Sequence, residues 1–497
     1  MTAMVIPLTG ALSAKTPWDS IYWKTTEAQV YRLQTRIAKA YREGRKGKVK
    51  ALQWILTHSF QAKLLAVKRV VQNKGGKTPG VDRIIWRTSH QKMKAALSLQ
   101  RRGYYTQPLR RIYIPKKNGQ QRPLSIPSMK CRAMQALYLL ALEPIAEYKA
   151  DKNSYGFRPK RSTADAIECC FNALARKKSA SWIFEADIKS CFDKISHSWI
   201  KNNIPMDKGI LNKWLTAGYI DKNSFHRTEE GVAQGSVISP TLLTMTLSGL
   251  EEKVSLISKR RDKVNVCTYA DDFVVTGATK EVLERIVKPT VEAFLKERGL
   301  ELSQEKSKIT HIDEGFNFLG FNTRKYKGKL IIKPSQKNVK SFLENIRETV
   351  KSNPTAKTEE LIGQLNPKIR GWANYFRHVC AKKTFNHVDA QIFRLVWQWI
   401  KRRHPGKGAQ WQKKKYFRSQ GNRNWIFFTT VQSKDGQRIC VDLIKASSLT
   451  IKRHIKIKAE ATPFDLDFYE YFRLRERSQK VRFTKTRLLR GNRVDNT

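Results

Sequence analysis

The sequence predicts an α+β protein in which helices lie on either side of a strand-bearing middle region. Basic helical patterning runs from about residue 26 to 72, hairpin and strand patterns follow between 110 and 277, and helical spacing returns after residue 336. With 497 residues, the chain is long enough for two to four domains. Hydrophobic residues make up 40% and charged residues 28%, which favours a folded, polar protein over a disordered one.

The net charge indicates a polyanionic partner. Lysine and arginine number 96 against 42 aspartate and glutamate residues, which gives a net charge of +54. Such a charge repels itself unless counter-anions balance it, and a long nucleic acid supplies them. Twelve tryptophans and sixteen tyrosines add flat surfaces on which bases can stack. A merely solvated basic surface is the alternative, but solubility does not require this much excess charge.

The cysteines and the apolar segments argue against several classes of protein. The seven cysteines contain no C-x-x-C pair, which argues against a zinc site or a disulfide framework and favours a reducing compartment. The first 18 residues lack the charged start and the long apolar run of a signal peptide. No stretch reaches the roughly 18 apolar residues of a membrane span. The sequence therefore predicts a soluble, cytoplasmic protein without a membrane partner.

Local patterns predict the elements of the middle region in order. After the basic helical stretch, the glycine and proline residues of 74–82 predict a loop. Residues 110–128 predict a β-hairpin that turns at an Asn-Gly pair. Residues 181–197 begin with a short apolar strand that ends in an acid. Residues 228–243 predict a glycine-containing loop that leads into a helix.

A second hairpin carries two adjacent acids. Residues 264–277 read VNVCTYADDFVVTG, with strand-like residues on either side of Asp271 and Asp272. Adjacent strand residues point to opposite faces, but at a hairpin tip this alternation breaks and both side chains can approach one locus. A third acid, Asp187, ends the strand that begins at Trp182. If that strand lies beside the hairpin, three carboxylates converge.

Three converging carboxylates favour a site for divalent metal ions. Close carboxylates are costly unless a proton or a cation lies between them. Mg²⁺ prefers one or two carboxylates plus substrate phosphates, and two ions roughly 3.5–4 Å apart suit in-line phosphoryl transfer. The alternative is structural, with Asp271-Asp272 as a turn pair and Asp187 as a helix cap. The acid pair alone does not decide between these interpretations.

Helical spacing dominates the chain after residue 336. An apolar stripe before Pro405 predicts a helix with one buried face. The members of this stripe are Phe385, Val388, Ile392, Leu395 and Trp399. From residue 371 to the end, 29 lysines and arginines face 9 acids, which gives a net charge of +20. This part of the chain is therefore expected to make a further nucleic-acid contact.

The ordered motifs resemble those of reverse transcriptases. Residues 269–272, YADD, resemble their Y-x-D-D box, and FEADIKSCFD at 184–193 resembles the palm motif that carries the other acid. AQGSVISP at 233–240 resembles P-Q-G-x-x-[ST]-P, with Ala233 in place of proline. Further blocks that resemble the family in order are IPKKNGQQRPLSIP (114–127), SYGFRPKRST (154–163), LSQEKSKITHI (302–312) and GFNFLGF (315–321).

The C-terminal part resembles group II intron-encoded proteins. GWANYFRH at 371–378, followed by 397–417, is similar to their maturase or X domain, and 453–465 resembles the DNA-binding region behind it. Many relatives also carry a C-terminal H-N-H nuclease with paired cysteines. The sequence shows no such pattern, so we expect no endonuclease and a DNA primer that comes from elsewhere.

The resemblance implies a right-hand polymerase fold, with fingers and palm of α+β type followed by a helical thumb. It implies a basic helical N-terminal extension that binds RNA (1–85) and then the fingers and palm (86–335). The thumb and maturase domain (336–420) and a small basic DNA-binding region without an endonuclease (421–497) would follow.

The resemblance also implies a catalytic and metal-binding set. Asp187, Asp271 and Asp272 would be the catalytic acids, and together with the backbone of Ile188 they would bind two Mg²⁺ ions. Lys306 is a candidate proton donor to pyrophosphate, although it lies in a lysine-rich stretch.

A nucleotide-binding set is implied in the same way. Its members are Lys116, Arg122, Ile188, Phe192, Gln234 and Gly235. Lys116 and Arg122 would hold the incoming triphosphate, and Phe192 would exclude a 2′-hydroxyl. Gln234 and Gly235 would line the nucleotide and template pocket. The alternatives are a solvated hairpin face, a core aromatic and an ordinary turn.

The expected function is that of a group II intron-encoded reverse transcriptase and maturase. Such a protein would bind its intron RNA, promote splicing and copy RNA into DNA during target-primed intron mobility. Its further partners would be target DNA, a DNA primer and deoxynucleoside triphosphates. Two alternatives stay open: a free-standing group II-like reverse transcriptase in DNA repair or defence, and an RNA-binding splicing factor with an idle polymerase site.

Overall fold

The computed structural model describes residues 17–115, 119–432 and 435–488. The architecture is of the predicted α+β type, with sheets in the middle of the chain and long helices before and after them. Lys116 and the asparagine of the predicted Asn-Gly turn lie outside the described residues. Among the helices that the structure describes, none is both long and apolar enough to cross a membrane.

A layer of helices covers the N-terminal side. It consists of α1 (Trp23–Arg42), α2 (Lys46–His58), α3 (Phe60–Gln72) and α4 (Ser89–Leu97). The first three pack on α5 (Met129–Lys149), which is buried on nearly every side, as expected for a helix that is apolar all round. Because α4 packs on α3, the helical layer continues past the predicted boundary at residue 85.

The first sheet contains the hairpin predicted at 110–128. Its strands are β1 (Leu109–Pro115), β2 (Gln121–Ile126), β4 (Tyr219–Asp221) and β5 (Ser224–His226), in the order β2-β1-β4-β5. β1 and β2 pair antiparallel, which confirms the hairpin. Burial falls along the hairpin from its base, at Leu109 and Ser125, to its exposed far end. The packed core therefore supports only the base of this hairpin.

The central sheet is antiparallel and carries the acids. Its strands are β3 (Trp182–Asp187), β6 (Asn265–Tyr269), β7 (Asp272–Gly277) and β8 (Lys308–His311), in the order β6-β7-β3-β8. Side chains alternate between its faces: Phe184 and Val275 enter one core, while Ile183 and Val274 enter another. Because both faces are covered, each strand contains three consecutive apolar residues, 182–184 in β3 and 273–275 in β7.

Shorter helices surround the central sheet. They are α6 (Thr163–Leu174), α7 (Cys191–Lys194), α8 (His197–Asn203), α9 (Lys208–Leu215), α10 (Ser239–Leu247), α11 (Leu250–Ile257), α12 (Lys280–Val282) and α13 (Lys288–Lys296). The loop predicted to lead into a helix within 228–243 does so: α10 begins at Ser239, with proline in its first turn.

A third sheet leads into the long C-terminal helices. The strands are β9 (Phe316–Phe318), β10 (Phe321–Tyr326) and β11 (Lys329–Pro334), and the helices are α14 (Gln336–Lys351), α15 (Thr358–Phe376), α16 (Lys382–Arg403) and α17 (Ala409–Tyr416). The predicted change to helices at residue 336 is confirmed. The predicted stripe of α16 is buried except at Leu395, which is half-buried because Val396 takes the core position.

The chain ends by folding back on the central domain. β12 (Phe417–Gln420), β13 (Arg423–Gln432) and β14 (Arg438–Asp442) form one sheet, and α18 (Tyr469–Leu488) follows. The predicted boundary between 420 and 421 therefore falls inside a hairpin. The buried Asp165 carboxylate of α6 accepts hydrogen bonds from Ile457 N–H at 2.8 Å and from Arg475 at 2.9 Å. These bonds fix the C-terminal segment against the central domain.

Candidate active site

The tip of the β6–β7 hairpin carries the acid pair. Tyr269 at the end of β6 pairs with Asp272 at the start of β7, so Ala270 and Asp271 form a two-residue turn. Ala270 has a φ of +58°, in the left-handed region that such tight turns use. Asp271 therefore lies outside the strand alternation, while Asp272 lies within it. This is the break in alternation that the sequence predicts.

Gly156 packs against this turn. A Cβ atom on Gly156 would lie 2.2 Å from the Ala270 nitrogen, so no larger residue fits without displacing the turn. Beside it, Tyr155 N–H donates to Thr268 O and Thr268 N–H donates to Asn153 O, both at 3.0 Å. The loop at the start of the SYGFRPKRST motif thus holds the hairpin by backbone contacts.

β3 brings the third acid to the same edge of the sheet. β3 pairs with β7 in a register that sets Asp187 directly opposite Asp272. Cβ atoms of directly opposed antiparallel residues lie about 4.5–5.5 Å apart. The structure therefore meets the condition on which convergence depended, and it brings Asp187, Asp271 and Asp272 together. Their roles as metal ligands stay a prediction.

The three acids create a local excess of negative charge. Displacement of water by the surrounding protein, and then the charges of Asp271 and Asp187, raise the pKa of Asp272 to about 6. Asp272 keeps an exposed rim, so solvent screens part of this effect. Lys306 Nζ donates to Asp187 Oδ2 at 2.7 Å, and this hydrogen bond raises the pKa of the lysine ammonium. Lys306 therefore balances part of the charge.

The side chain of Ile188 is buried, so only its backbone can face the acids at this edge. It forms an isolated β-bridge with the loop before β8. The hydrogen bonds of that bridge belong to its neighbours: Lys189 N–H donates to Glu301 O at 2.9 Å, and Ser303 N–H donates to Asp187 O at 2.8 Å. The Ile188 carbonyl takes no part in these two bonds, which is compatible with its predicted role as a backbone ligand.

The donor chemistry at this edge suits a hard divalent cation. Carboxylate and backbone carbonyl oxygens are the ligands that Mg²⁺ and Ca²⁺ take, and a cation would relieve the repulsion between the acids. Across residues 17–115, 119–432 and 435–488, however, no three acidic, histidine or cysteine side chains already enclose a metal position. An ion held by all three acids therefore requires side-chain rotations, with Lys306 released from Asp187.

A hydrogen-bonded bridge connects the first sheet to the acid-bearing motif. Arg122 Nε donates to Gln234 Oε1 at 2.9 Å, and Gln234 Nε2 donates to Asp193 Oδ2 at 3.3 Å. The backbone carbonyl of Gln234 also accepts a hydrogen bond from Ser125 N–H at 2.8 Å. Gly235 follows with a φ of +98°, which turns the loop at this point. Two predicted nucleotide-binding side chains, Arg122 and Gln234, are therefore in direct contact.

Asp193 is the acidic end of this bridge. Burial raises the pKa of its carboxyl group, and the nearby Arg111 and Arg122 oppose that rise. The carboxyl group thus lies between two arginines of the first sheet and the amide of Gln234. This arrangement fixes which end of the Gln234 amide faces Arg122, since a carboxylate oxygen accepts only from the NH₂ group.

Phe192 lies between the acid motif and the loop that carries Gln234. Its ring is buried and meets the half-exposed ring of Phe157 edge-on, with 6.3 Å between ring centroids. Its backbone carbonyl accepts a hydrogen bond from Val232 N–H at 2.6 Å. The residue is therefore part of the core, and its role in excluding a 2′-hydroxyl stays a prediction.

Sequence reasoning gave no role to three residues that shape this site: Gly156, Phe157 and Asp193. All three lie inside motifs that the sequence analysis quoted, and Asp193 directly follows the predicted sugar-excluding residue. Their place within those motifs was the signal that could have identified them. The sequence does not show their contacts with Ala270, Phe192 and Gln234, because those partners are distant in the chain or belong to another element.

Family models match three successive parts of the chain. The model described as reverse transcriptase (RNA-dependent DNA polymerase) matches residues 114–323. The N-terminal domain of reverse transcriptase matches 18–99, and the group II intron maturase-specific domain matches 339–417.

Three curated relatives match over about two thirds or more of their own length. Protein YkfC of Escherichia coli is 33% identical over 300 residues, covering 51% of this chain and 78% of that protein. The group II intron-encoded protein LtrA of Lactococcus lactis is 26% identical over 409 residues, covering 63% of this chain and 68% of LtrA. The chain belongs to the group II intron-encoded reverse transcriptases. Maturase-like protein 1 of Euglena gracilis is 22% identical over 375 residues, covering 73% of this chain and 78% of that protein.

This group II intron-encoded reverse transcriptase is an RNA-directed DNA polymerase that also carries a maturase domain. The predicted fold class is confirmed: the strands of the central sheet lie within the residues that the reverse transcriptase model matches, and the helices from α14 onward follow them. Reverse transcriptases generally depend on divalent metal ions. Telomerase from Candida albicans is a weak structural match, with a TM-score of 0.36 and 12% identity over 61% of this chain and 59% of that one.

Proposed function

We propose that this enzyme copies RNA into DNA at Asp187, Asp271 and Asp272, with deoxynucleoside triphosphates as substrates and two Mg²⁺ ions as cofactors. One observation carries the proposal: the register that sets Asp187 opposite Asp272, beside the turn that carries Asp271. Ions bound to these acids would supply neutralisation of charge on the transferring phosphates. The acids themselves would supply the fixed oxygen ligands.

The cationic residues around the acids would bind the triphosphate. Arg122 donates a hydrogen bond to Gln234, in the loop beside Asp193. Its guanidinium group has a geometry suited to binding phosphate. Lys116 would act with it, as the resemblance implies. Lys306 lies beside the acids, with its ammonium 2.7 Å from Asp187 Oδ2, and would help to balance the charge of the phosphates there.

Intron RNA is the proposed partner of the thumb and maturase region. We infer that the enzyme promotes splicing of that RNA and then copies it at a target DNA from a DNA primer, in the cytoplasm. The match of residues 339–417 to the maturase-specific domain supports the RNA assignment. The net charge of +54 supports a nucleic-acid ligand with many phosphate contacts.

The test combines the RNA partner with the metal requirement. The protein is purified from its native host, the RNA that accompanies it is sequenced, and primer extension is measured with and without a chelator. We expect one enriched structured RNA that is encoded around the protein's own gene and whose flanks are spliced. Extension should stop in the chelator and return with Mg²⁺. A diffuse mixture of cellular RNAs would instead support a free-standing polymerase, and extension in the chelator would refute the metal assignment.

The sugar-excluding role of Phe192 has its own test. Phe192→Val should raise the ratio of ribonucleotide to deoxynucleotide kcat/KM on the order of tenfold or more, because it removes the ring that would contact a 2′-hydroxyl. Phe225→Ala, at an exposed aromatic residue on β5, is the control and should leave the ratio unchanged. An unchanged ratio in an active Phe192→Val enzyme would remove the assignment.

A further inference from the structure

The segment from residue 390 to 434 differs in charge from the rest of the chain. It contains eleven lysines and arginines and no aspartate or glutamate. Its described part covers the second half of α16, then α17, β12 and β13. Because the segment holds no acid of its own, only acids outside it, such as Asp442 beside Arg418, can pair with its cations, and its net charge complements a polyanion.

Four aromatic rings pack together on this segment, and we call them the aromatic platform: Phe393, Trp397, Phe417 and Trp425. Their centroids lie 5.5–6.1 Å apart in each contacting pair. Phe417 is buried and anchors the set, whereas Phe393 is 38% and Trp425 39% exposed. A set of rings that served packing alone would bury its outer members. Two rings of this set instead face solvent in a cationic surface.

Trp425 is held in a conformation that a bulky side chain rarely adopts. Its φ is +59°, in the left-handed region. The strand pairing explains the position: Arg418 pairs with Ile426, but Gln420 pairs with Arg423, so an extra residue bulges from β13 beside Trp425. Such bulges re-aim side chains. Here the strained backbone directs the indole towards α16, and strain kept for an exposed ring points to function.

Ammonium groups flank the exposed rings. Lys413 Nζ lies 4.6 Å from the ring centroid of Trp425. On the same helix, the indole of Trp411 is 38% exposed, with Lys415 Nζ at 4.7 Å and Lys407 Nζ at 5.6 Å. Aromatic rings that alternate with cations suit a strand whose bases stack and whose phosphates run alongside. Duplex RNA offers its phosphates but keeps its bases stacked inside.

We propose that the aromatic platform stacks an unpaired base of the bound RNA, with Trp425 and Phe393 as the contact rings and Lys413 beside the neighbouring phosphate. This inference rests on the proposed function, because it names the form of RNA that this region selects. The platform therefore gives the maturase region a preference for unpaired over duplex RNA that charge alone would not produce.

The experiment removes the ring without disturbing the backbone. Glycine adopts the left-handed conformation at no steric cost, so Trp425→Gly keeps the bulge and deletes the indole. The full-length variant is titrated with an unstructured RNA that contains a fluorescent adenine analogue quenched by stacking, and with a duplex of the same length. We expect binding of the unpaired RNA to weaken on the order of tenfold and the quenching to disappear. Duplex binding should change less than about twofold.

Three further variants separate stacking from charge and from folding. Trp425→Phe keeps a ring and should restore most of the affinity and the quenching. Lys413→Gln should weaken unpaired and duplex RNA alike and reduce the salt dependence of both. Phe393 lies on an exposed helix face. If Trp425→Gly melts at a lower temperature than the wild type, Phe393→Ala tests the aromatic platform in its place.

Three results would overturn the inference. The first is unchanged affinity for unpaired RNA in Trp425→Gly and Phe393→Ala. The second is an equal loss of affinity for unpaired and duplex RNA in these variants. The third is quenching that persists without the ring.

Primer extension by Trp425→Gly on a pre-annealed template should stay near the wild-type rate, since the platform is not part of the carboxylate site. If the wild-type protein bound neither RNA, the proposed function itself would fail, and the two failures are thereby distinguished.

Discussion

Two antiparallel hairpins meet around the active site, and they are supported in opposite ways. The β6–β7 hairpin has buried strands, a two-residue turn with acids, and Gly156 packed against that turn. The β1–β2 hairpin carries arginines, is buried at its base and becomes exposed towards its far end. The side chains of Arg122, Gln234 and Asp193 connect the β1–β2 hairpin to α7, which follows the strand that carries Asp187.

The difference follows from the charges that each hairpin carries. Three acids that repel one another must be held by the backbone around them, because their own interaction would drive them apart. A cationic hairpin that binds and releases a triphosphate, as we propose for β1–β2, would need support at its base. Leu109 N–H donates to Gly218 O at 2.9 Å and Ser125 N–H donates to Gln234 O at 2.8 Å, which gives this support. The β6–β7 hairpin, where the acids converge, is therefore supported along its strands and at its turn, whereas the β1–β2 hairpin is supported only at its base.

The largest effect is expected from removing one acid of the rigid hairpin. Asp271→Asn should lower the rate of primer extension on the order of 10²–10³-fold or more, because a neutral amide replaces a charged ligand at the reacting phosphates. RNA affinity should stay near the wild-type value, since the change lies outside the basic surfaces. The control is Asp313→Asn, at a largely exposed carboxylate, which should extend normally. Near-normal extension by Asp271→Asn would refute the site.

The next effect concerns the support of that hairpin. Gly156→Ala places a Cβ against the Ala270 nitrogen, so we expect about 1–3 kcal/mol of destabilisation. Displacing the turn should also slow primer extension on the order of 10²-fold, since reacting groups tolerate little misplacement. Thermal unfolding and extension rates measure the two effects. Gly363→Ala, in α15 with open space around it, should neither destabilise the protein nor slow primer extension. Equal behaviour of the two variants would show that the contact does not position the acids.

The bridge from the β1–β2 hairpin to α7 should have an intermediate effect. Asp193→Ala leaves the Gln234 amide free to turn and removes the carboxyl group between Arg111 and Arg122. We expect KM for the deoxynucleotide to rise about tenfold with a smaller fall in kcat, as expected for loss of a hydrogen bond to a charged group. Asp193→Asn keeps an acceptor oxygen and should lie between Asp193→Ala and the wild type. A fall in kcat with unchanged KM would place Asp193 with the rigid hairpin instead.

The smallest effect is a pH dependence of stability that belongs to the rigid hairpin. The pKa of Asp272 is raised from 3.8 to about 6, so between these pH values the folded state binds more protons than the unfolded state. In metal-free protein, the contribution of this carboxyl group to stability should therefore fall as pH rises through that window. The change should be about 1 kcal/mol or less, because solvent screens the exposed rim.

Chemical denaturation at several pH values checks this slope. Asp272→Asn should remove it, and Asp313→Asn should not. A metal-free wild-type protein that gained stability relative to Asp272→Asn over the same window would contradict the assignment of the raised pKa.

Local patterns in the sequence determined much of this protein. The Asn-Gly pair and its flanking residues predicted the β1–β2 hairpin, and the apolar stripe predicted α16 with one buried face. The break in alternation at Asp271-Asp272 predicted acids at a hairpin tip. These features depend on interactions within a few residues, so the sequence carries them directly.

Only the tertiary structure decided how these parts meet. The register that sets Asp187 opposite Asp272 joins strands far apart in the chain, and a shift by one residue would turn the acid to the other face. The contact of Gly156 with Ala270, and the return of the C-terminal segment to Asp165, likewise join distant residues. Such pairings depend on packing and burial across the whole fold, which no local pattern specifies.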